Sequence, residues 1–155
     1  MQQLFVDSEF TGFKSPQLIS IGVVALSGEE FYAEVEFPID ECSEFVRATV
    51  LPLLNQDKRY SLAELKCELS SWIEAVRQGG PILICYDSEY DRTMLRQIFE
   101  NDTPNGLVFR NLGASYVNKI KMYEWHVKHK QPEHHALHDA RALKYAFRGW
   151  IRKVR

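Results

Sequence analysis

The first quarter of the chain contains three apolar runs that predict β-strands. The segment 18–26, LISIGVVAL, is almost continuously apolar and β-branched, which is typical of a strand buried on both faces. In the segment 31–37, FYAEVEF, apolar and polar positions alternate, which indicates a strand with one exposed face. A shorter run, Leu4-Phe5-Val6, precedes them, and Ser27-Gly28-Glu29 supplies a turn. The pattern therefore predicts a three-stranded antiparallel meander.

Helical spacing dominates the rest of the chain and alternates with short strands. Ser61-Leu62-Ala63-Glu64 matches a capping box, and apolar residues follow it at helical intervals as far as Gly79-Gly80. Three strands followed by alternating helices and strands predict an α/β domain with a mixed sheet, and we expect a single domain over residues 1–155. The other predicted elements are a short helix at 44–51 that stops at Pro52, strands at 82–86 and 107–109, and helices at 90–100, 115–127 and 135–150.

Composition narrows the class of protein. Hydrophobic residues make up 45% and charged residues 26%, as in ordinary globular domains, and no apolar stretch approaches the roughly 18 residues of a membrane span. Cys42, Cys67 and Cys85 form no C-x-x-C pair, and their odd number favours reduced thiols. We therefore expect a cytoplasmic protein without a membrane partner. The net charge of -2 leaves nucleic-acid binding open, because metal-binding acids can mask basic residues.

Two acids stand one residue apart at the end of the first apolar run. In an extended backbone, Asp7 and Glu9 point to the same face. Two like charges so close repel each other unless a cation lies between them, and Mg²⁺ and Mn²⁺ prefer carboxylate oxygens as ligands. Such a pair alone is more typical of a solvated strand end, so a metal site needs ligands from elsewhere.

Two further acids occupy positions that suit this site. Asp91 follows the strand at 82–86, and open α/β sheets usually bind ligands at such strand ends, although helix capping alone also explains an acid there. Asp139 borders the apolar stripe of the last helix, where a charge needs a partner such as a metal ion. That stripe contains Ala136, Ala140, Leu143 and Phe147.

The histidines raise the question of zinc. His134 and His138 are spaced by four, as in zinc-binding helices, but the H-E-x-x-H pattern is absent and no cysteine is near, which disfavours zinc. His134 precedes Asp139 by five residues, so on one helix it would point about 140° away. We expect it on the entering loop, facing the same site as an acid–base residue. Most of the other histidines, His126, His129, His135 and His138, are expected at the surface, although His126 or His129 suits a partly buried position equally well.

In order and spacing, these residues resemble the three motifs of DEDDh 3′-to-5′ exonucleases. The matching motifs are Asp7-x-Glu9, Tyr90-Asp91 and His134-x-Ala136-x-x-Asp139-Ala140. The chain is most similar to the small bacterial 3′-to-5′ exoribonuclease subfamily first recognised in mycobacteria. The segments that carry this similarity are DSEF, LISIGVVAL, GEEFYAE, FVRATVLPLL and HHALHDARALKYAFR, and they extend over nearly the whole chain.

The resemblance implies a ribonuclease H-like mixed β-sheet flanked by helices, and a two-metal hydrolase. It implies two Mg²⁺ or Mn²⁺ ions, RNA 3′ ends as substrate, nucleoside 5′-monophosphates as products, and a homodimer. The implied metal ligands are Asp7, Glu9, Asp91 and Asp139, with His134 as the general base. A DNA exonuclease of the proofreading or repair type would share this chemistry, and a catalytically silent nucleic-acid-binding module is a third alternative. The complete set of acids speaks against silence.

Contacts with the substrate are less well defined by the sequence. Many relatives carry asparagine at the position of Asp87, and two threonines and a glycine where this chain has Phe10, Thr11 and Gly12. We expect these three residues to contact the nucleotide, with Phe10 stacking on the terminal base, although Phe10 also suits the core. Basic residues that would track the phosphate backbone, or form a solvated face, are Lys119, Lys121, Lys128, Lys130, Arg148, Arg152, Lys153 and Arg155.

An apolar segment in the first third of the chain is a candidate dimer interface. Phe45, Val46 and Leu51 suit either an interface or a cover over the core.

Overall fold

A computed structural model describes residues 1–55 and 57–150 and shows a six-stranded mixed sheet. The strands are β1 Gln2–Phe10, β2 Leu18–Ala25, β3 Glu30–Val35, β4 Arg59–Tyr60, β5 Ile82–Tyr86 and β6 Leu107–Asn111, of which β4 was not predicted. The first three strands form the predicted antiparallel meander, while β1 and β5, β5 and β6, and β3 and β4 pair in parallel. Across the sheet the order is β4-β3-β2-β1-β5-β6.

Six helices accompany the sheet in the described residues, and most begin where the sequence predicts. The helices are α1 Glu44–Thr49, α2 Leu62–Val76, α3 Glu89–Phe99, α4 Gly113–Tyr116, α5 Lys119–His129 and α6 Ala136–Ala146. The hydroxyl of Ser61 accepts a hydrogen bond from the backbone N–H of Glu64, which confirms the predicted start of α2. The α/β class and the mixed sheet are therefore confirmed.

Two helix predictions in the last third of the chain were wrong in their bounds. The helix predicted at 115–127 is divided into α4 and α5, and the last helix ends at Ala146 instead of residue 150. Both differences have one cause, because Val117 and Phe147 leave helical geometry to pair with each other in a β-bridge. The extended backbone at Phe147 also packs its ring against Phe5, with ring centroids 5.4 Å apart.

The period-two alternation of β1 divides the core between the two faces of the sheet. Leu4 and Val6 belong to the main core, to which α2 and α3 contribute, whereas Phe5 packs with Leu143 and Ala146 of α6. Asp7 and Glu9 follow Phe5 in this alternation, so they belong to the face that α6 covers.

Helix α6 lies very close to the sheet at Gly22 of β2. A Cβ atom added there would lie 2.4 Å from the carbonyl oxygen of Ala136, a distance that real side chains do not tolerate. Gly22 is also the residue that pairs with Asp7 on β1. Because glycine has no side chain, the first turn of α6, with Asp139, can approach the acids of β1.

All three cysteines are free thiols, with Cys42 and Cys85 buried and Cys67 exposed. Over residues 1–55 and 57–150, every helix is too short or too polar to cross a bilayer.

Candidate active site

The four predicted acids come together at one end of the sheet. Strand β1 runs to Phe10, so Asp7 and Glu9 lie near the end of this strand, as the sequence predicted. Asp91 is in the first turn of α3 and Asp139 is in the first turn of α6. Asp7, Glu9, Asp91 and Asp139 all line one cavity. Segments far apart along the chain therefore supply a single acidic site.

Ser8, between the first two acids, holds the third. Its backbone N–H and its hydroxyl both donate to Asp91 Oδ1, at 3.0 Å and 2.6 Å. Strand alternation explains this role, since the side chain of Ser8 projects to the opposite face from Asp7 and Glu9. No role was predicted for Ser8, although its position between two acids of a strand was a usable signal in the sequence.

Asp139 is fixed by two histidines. Its Oδ2 accepts a hydrogen bond from the backbone N–H of His134 at 3.0 Å, and its Oδ1 lies 3.1 Å from Nε2 of His126. Nδ1 of His126 lies 2.8 Å from the carbonyl oxygen of Gln131, which can only accept, so Nδ1 carries a hydrogen. Nε2 therefore donates to Asp139 when the imidazole is protonated. Although burial lowers the pKa of His126, Asp139 and the Gln131 carbonyl raise this pKa overall. His126 is buried beside the site, a placement that the sequence left open between surface and core.

Burial and mutual repulsion raise the pKa of three of the acids. Burial first, and then the carboxylates of Asp139 and Asp91, raise the pKa of Glu9 to about 9. Burial raises the pKa of Asp91 to about 7, against the hydrogen bonds from Ser8 that lower it. The pKa of Asp7 is also raised well above its usual range, by burial and by the carboxylates around it. Without cations, these groups hold protons that free carboxylates would release.

A bound cation fits the acids better than protons do. Asp7 Oδ2 and Asp91 Oδ2 are buried oxygens that have no hydrogen-bond partner, and leaving such atoms unpaired is costly. Carboxylate oxygens are the ligands that Mg²⁺ and Mn²⁺ prefer. Two groups of side chains each offer ligand atoms that lie within 4.8 Å of one another. One group is Asp7, Asp87 and Asp91, and the other is Glu9, His134 and Asp139. The site therefore has the donor chemistry for divalent ions.

His134 lies on the loop before α6, as predicted. Its backbone φ of 66° is left-handed, which is uncommon for a residue with a side chain, and its N–H bond to Asp139 holds this conformation. The ring of Phe45 contacts the imidazole edge-on, with centroids 5.0 Å apart. The imidazole lines both cavities at the acids, so it can reach a substrate there.

An apolar cavity of about 650 Å³ opens on one side of the acids. Phe10, Gly12, Phe13, Phe45 and Val46 contribute to its lining. Its size is in the usual range for small-molecule and cofactor sites. Cavities of this kind suit a planar, largely apolar group such as a nucleobase.

The predicted substrate residues have different surroundings. Phe10 stacks on Tyr90, with centroids 5.0 Å apart and planes inclined by 18°, so it serves the core as well as the cavity. Thr11 is buried and does not contribute to the cavity lining. Its hydroxyl accepts from the N–H of Gln17, and its carbonyl oxygen accepts from the N–H of Ser43. A substrate contact by Thr11 stays a prediction.

A smaller, polar cavity of about 280 Å³ lies on the other side of the acids. Asp7, His134 and Asp139 line it together with residues that do not line the apolar cavity, and Lys119 forms an ion pair with Asp87 at its wall. Its remaining lining residues are Met122, Tyr123, His126 and Glu133. Among the basic residues proposed for phosphate contact, Lys121, Lys128, Lys130 and Arg148 are exposed, and Arg152, Lys153 and Arg155 lie outside the described residues.

The pair of histidines that raised the zinc question has separate contacts. Nδ1 of His138 lies 3.1 Å from the carbonyl oxygen of Pro132, and its ring stacks on His135. His134 instead lies with Glu9 and Asp139. In the part of the chain that the structure describes, neither group of possible metal ligands contains two histidines.

Comparison with solved structures identifies the fold. The chain is similar to a structure of exonuclease I described as suggesting how processivity is achieved, with a TM-score of 0.65, and to apo exonuclease I, with a TM-score of 0.62. Both are 13% identical to this chain and cover 92% of it, while the chain spans 39% and 40% of their lengths. The likeness confirms the ribonuclease H-like fold.

Comparison with sequences identifies the family. No curated protein sequence matched the chain. A family model described as the 3′-5′ exoribonuclease Rv2179c-like domain matches residues 2–150, which is nearly the whole chain. This agrees with the resemblance carried by the three acidic motifs. The chain therefore belongs to the Rv2179c-like 3′-5′ exoribonuclease domain family.

Proposed function

We propose that this protein is a 3′-to-5′ exoribonuclease that removes single nucleotides from single-stranded or overhanging RNA 3′ ends with the help of two Mg²⁺ or Mn²⁺ ions. The observation that carries the proposal is the meeting of four acids from β1, α3 and α6 beside an apolar cavity of about 650 Å³. Membership of the family supports the exonuclease class.

The acids would hold the ions, and the other residues of the site act on the substrate. Bound by Asp7, Glu9, Asp91 and Asp139, two divalent ions would neutralise the phosphate and stabilise the attacking and leaving oxygens. Ser8 holds Asp91, and the His134 N–H with His126 holds Asp139, so these ligands are oriented before substrate binds. Orientation of this kind lowers the reorganisation needed during the reaction.

His134 is the proposed general base. A water oxygen attacks the phosphorus of the terminal nucleotide, its proton passes to a ring nitrogen of His134, and the bond from phosphorus to the 3′ oxygen of the preceding nucleotide breaks. The leaving 3′ oxygen takes up a proton from solvent, and His134 later releases its proton to solvent. The products are therefore a nucleoside 5′-monophosphate and a shortened strand that ends in a 3′ hydroxyl. An imidazole suits this step because it can take up a proton near neutral pH.

The apolar cavity is the proposed place of the terminal base. Phe13 and Phe45 are exposed aromatic side chains at this cavity, so they can stack on a base that is not paired. A base in a duplex has no free face for such contacts. We therefore expect single-stranded and overhanging ends to be preferred over blunt duplex.

One experiment separates this proposal from its alternatives. Matched RNA and DNA strands, labelled at the 5′ end, are incubated with Mn²⁺ or with excess chelator, and the products are separated by length. We expect stepwise shortening of RNA in Mn²⁺, slower shortening of DNA, and none in chelator. Equal rates on the two strands would favour the DNA-exonuclease alternative, and no cleavage of either would favour a silent binding module. The Asp139→Asn variant controls for contaminating nucleases.

We also propose a homodimer in the cytoplasm, on the resemblance and the reduced thiols alone. Phe45 and Val46 line the apolar cavity, whereas Leu51 packs on the small core cluster that contains Val46 and Val50. Sedimentation of the purified protein at several concentrations measures the oligomeric state, and a single monomer boundary throughout would contradict the dimer.

A further inference from the structure

We propose that Asp87 is a fifth carboxylate of the metal centre, and that Lys119 balances its charge until a divalent cation binds. The inference rests on the proposed two-metal function. Asp87 would be a metal ligand in addition to the four acids of the sequence motifs. Its ion pair with Lys119 would then regulate metal binding.

Asp87 is placed by the end of strand β5. It is the first residue after this strand, and its carboxylate is half-buried. One oxygen each from Asp7, Asp87 and Asp91 lie within 4.8 Å of one another. Glu9, His134 and Asp139 form a separate group of the same size. Asp87 is therefore the third carboxylate of the group that contains Asp7 and Asp91.

Unpaired oxygens in this group indicate that it binds a cation. Asp91 is only 2% exposed, and while its Oδ1 accepts both hydrogen bonds from Ser8, its Oδ2 is buried with no partner. Asp7 Oδ2 is buried and unpartnered in the same way. A buried carboxylate oxygen without a donor is costly, and a hard cation satisfies several such oxygens at once. The half-buried carboxylate of Asp87 is within reach of the same ion.

Lys119 occupies an unusual position for a lysine. It is the first residue of α5, where the helix dipole disfavours positive charge, and the first turn of this helix contains no acid. Its ion pair with Asp87 offsets this cost and lowers the repulsion between Asp87 and the neighbouring acids. The lysine side chain is 63% exposed, so it can move into solvent when a cation takes its place.

Calorimetric titration of Mn²⁺ into the metal-free protein tests the proposal without using activity. Four proteins are compared, namely the parent, Asp87→Asn, Lys119→Met and the double variant. We expect two ions to bind the parent, and Asp87→Asn to weaken the binding of one ion by about 10-fold or more. Lys119→Met should strengthen the same ion, because it frees the carboxylate. In the Asp87→Asn background, Lys119→Met should have little effect.

A matched control removes a charge from the same cavity. Glu133 lines the polar cavity but belongs to neither group of possible ligands, so Glu133→Gln should leave Mn²⁺ binding close to that of the parent. An equal loss in Glu133→Gln and Asp87→Asn would reduce the role of Asp87 to general charge.

The outcomes separate the two proposals. If the parent binds fewer than two ions, the two-metal function fails and the fifth ligand fails with it. If the parent binds two ions and Asp87→Asn binds both as tightly, only the inference about Asp87 is overturned. If Lys119→Met strengthens Mn²⁺ binding equally in the parent and in Asp87→Asn, Lys119 acts only as a distant charge. The proposed replacement of Lys119 by a cation at Asp87 is then wrong. Because Lys119 is exposed, this variant should fold even if Asp87→Asn does not, and an unchanged affinity in it would also overturn the proposal.

Discussion

The two cavities beside the acids share one wall, and the residues that line the rest of each cavity are different. Asp7, His134 and Asp139 line both of them. On one side the surface of the cavity is mainly apolar, with Phe13 and Phe45 exposed. On the other side it contains the ion pair of Asp87 with Lys119. We therefore expect a division of tasks, in which the apolar cavity would contact the base and the polar cavity would balance the charge of the acids.

Removing an acid of the shared wall should have the largest effect, because both cavities depend on it. Asp7→Asn and Asp139→Asn remove a charged ligand, and the loss of metal-dependent stabilisation of several kcal/mol corresponds to a loss in turnover on the order of 10³-fold. Rates of RNA shortening in Mn²⁺ measure this, with a thermal melt to verify folding. A variant that retains about a tenth of the parental rate or more would remove that residue from the ligand set.

His134 also belongs to both cavities, but its proposed task is proton transfer. His134→Ala should lower turnover by about 10²- to 10⁴-fold and leave Mn²⁺ affinity near that of the parent. His135→Ala is the neighbouring control, because His135 stacks on Tyr32 and His138, and its loss should be mild. A large loss of Mn²⁺ affinity in His134→Ala would make His134 a metal ligand and return attention to zinc.

The apolar cavity alone is tested by truncating Phe45, an exposed aromatic residue that can contact the candidate base. Stacking of one base on an aromatic ring contributes about 1 to 3 kcal/mol, so Phe45→Ala should raise the KM for RNA by about 10-fold or more. An RNA that lacks the terminal base should be cleaved with the same KM by the parent and the variant. Tyr145→Ala, an exposed aromatic residue outside both cavities, is the control. A KM difference that persists on the abasic strand would assign Phe45 to the positioning of His134.

The smallest expected effect is on stability at alkaline pH. The folded-state pKa values of Glu9 and Asp7 lie above their usual range, so the stability they contribute is present at low pH and is lost as pH rises through these values, about 9 for Glu9. In chelator, the midpoint of thermal unfolding should fall by about 5 °C or more between pH 7 and pH 9.

With saturating Mg²⁺ this fall should be smaller, because the ions stabilise the ionised carboxylates. Buried Cys85 lowers alkaline stability too, since burial raises the pKa of its thiol to about 12, but it does so with and without metal. The difference between the two conditions therefore reports on the acids. An identical fall in both would contradict cation binding by Asp7 and Glu9.

The sequence predicted the strands of the meander and the positions of all four acids because these depend on local periodicity. The alternation in β1 sets the faces of Asp7 and Glu9, and helical spacing sets Asp139 beside its apolar stripe. The strand β4 was missed because two residues, Arg59 and Tyr60, carry no periodic signal. The end of α6 was missed because Phe147 fits the helical stripe but pairs instead with Val117, which only the tertiary structure places nearby.

The supporting residues of the site were harder to predict than its acids. His126 reaches Asp139 from α5, and Lys119 reaches Asp87 from the start of the same helix. Neither contact follows from spacing, since the partners belong to different elements. The role of Gly22 could not be predicted either, because the close approach of α6 to β2 is visible only once the two elements are packed.

The packing of α6 on Gly22 also sets the time at which the site can exist. During synthesis the acids of β1 leave the ribosome before Asp139 and the helix that carries it. Domains fold as units as they are synthesised, and a chain without α6 lacks one acid and the cover over the others. A nascent chain therefore has no complete nuclease site until α6 has emerged and docked. Before that point, the messenger RNA from which it is being translated is not exposed to its proposed activity.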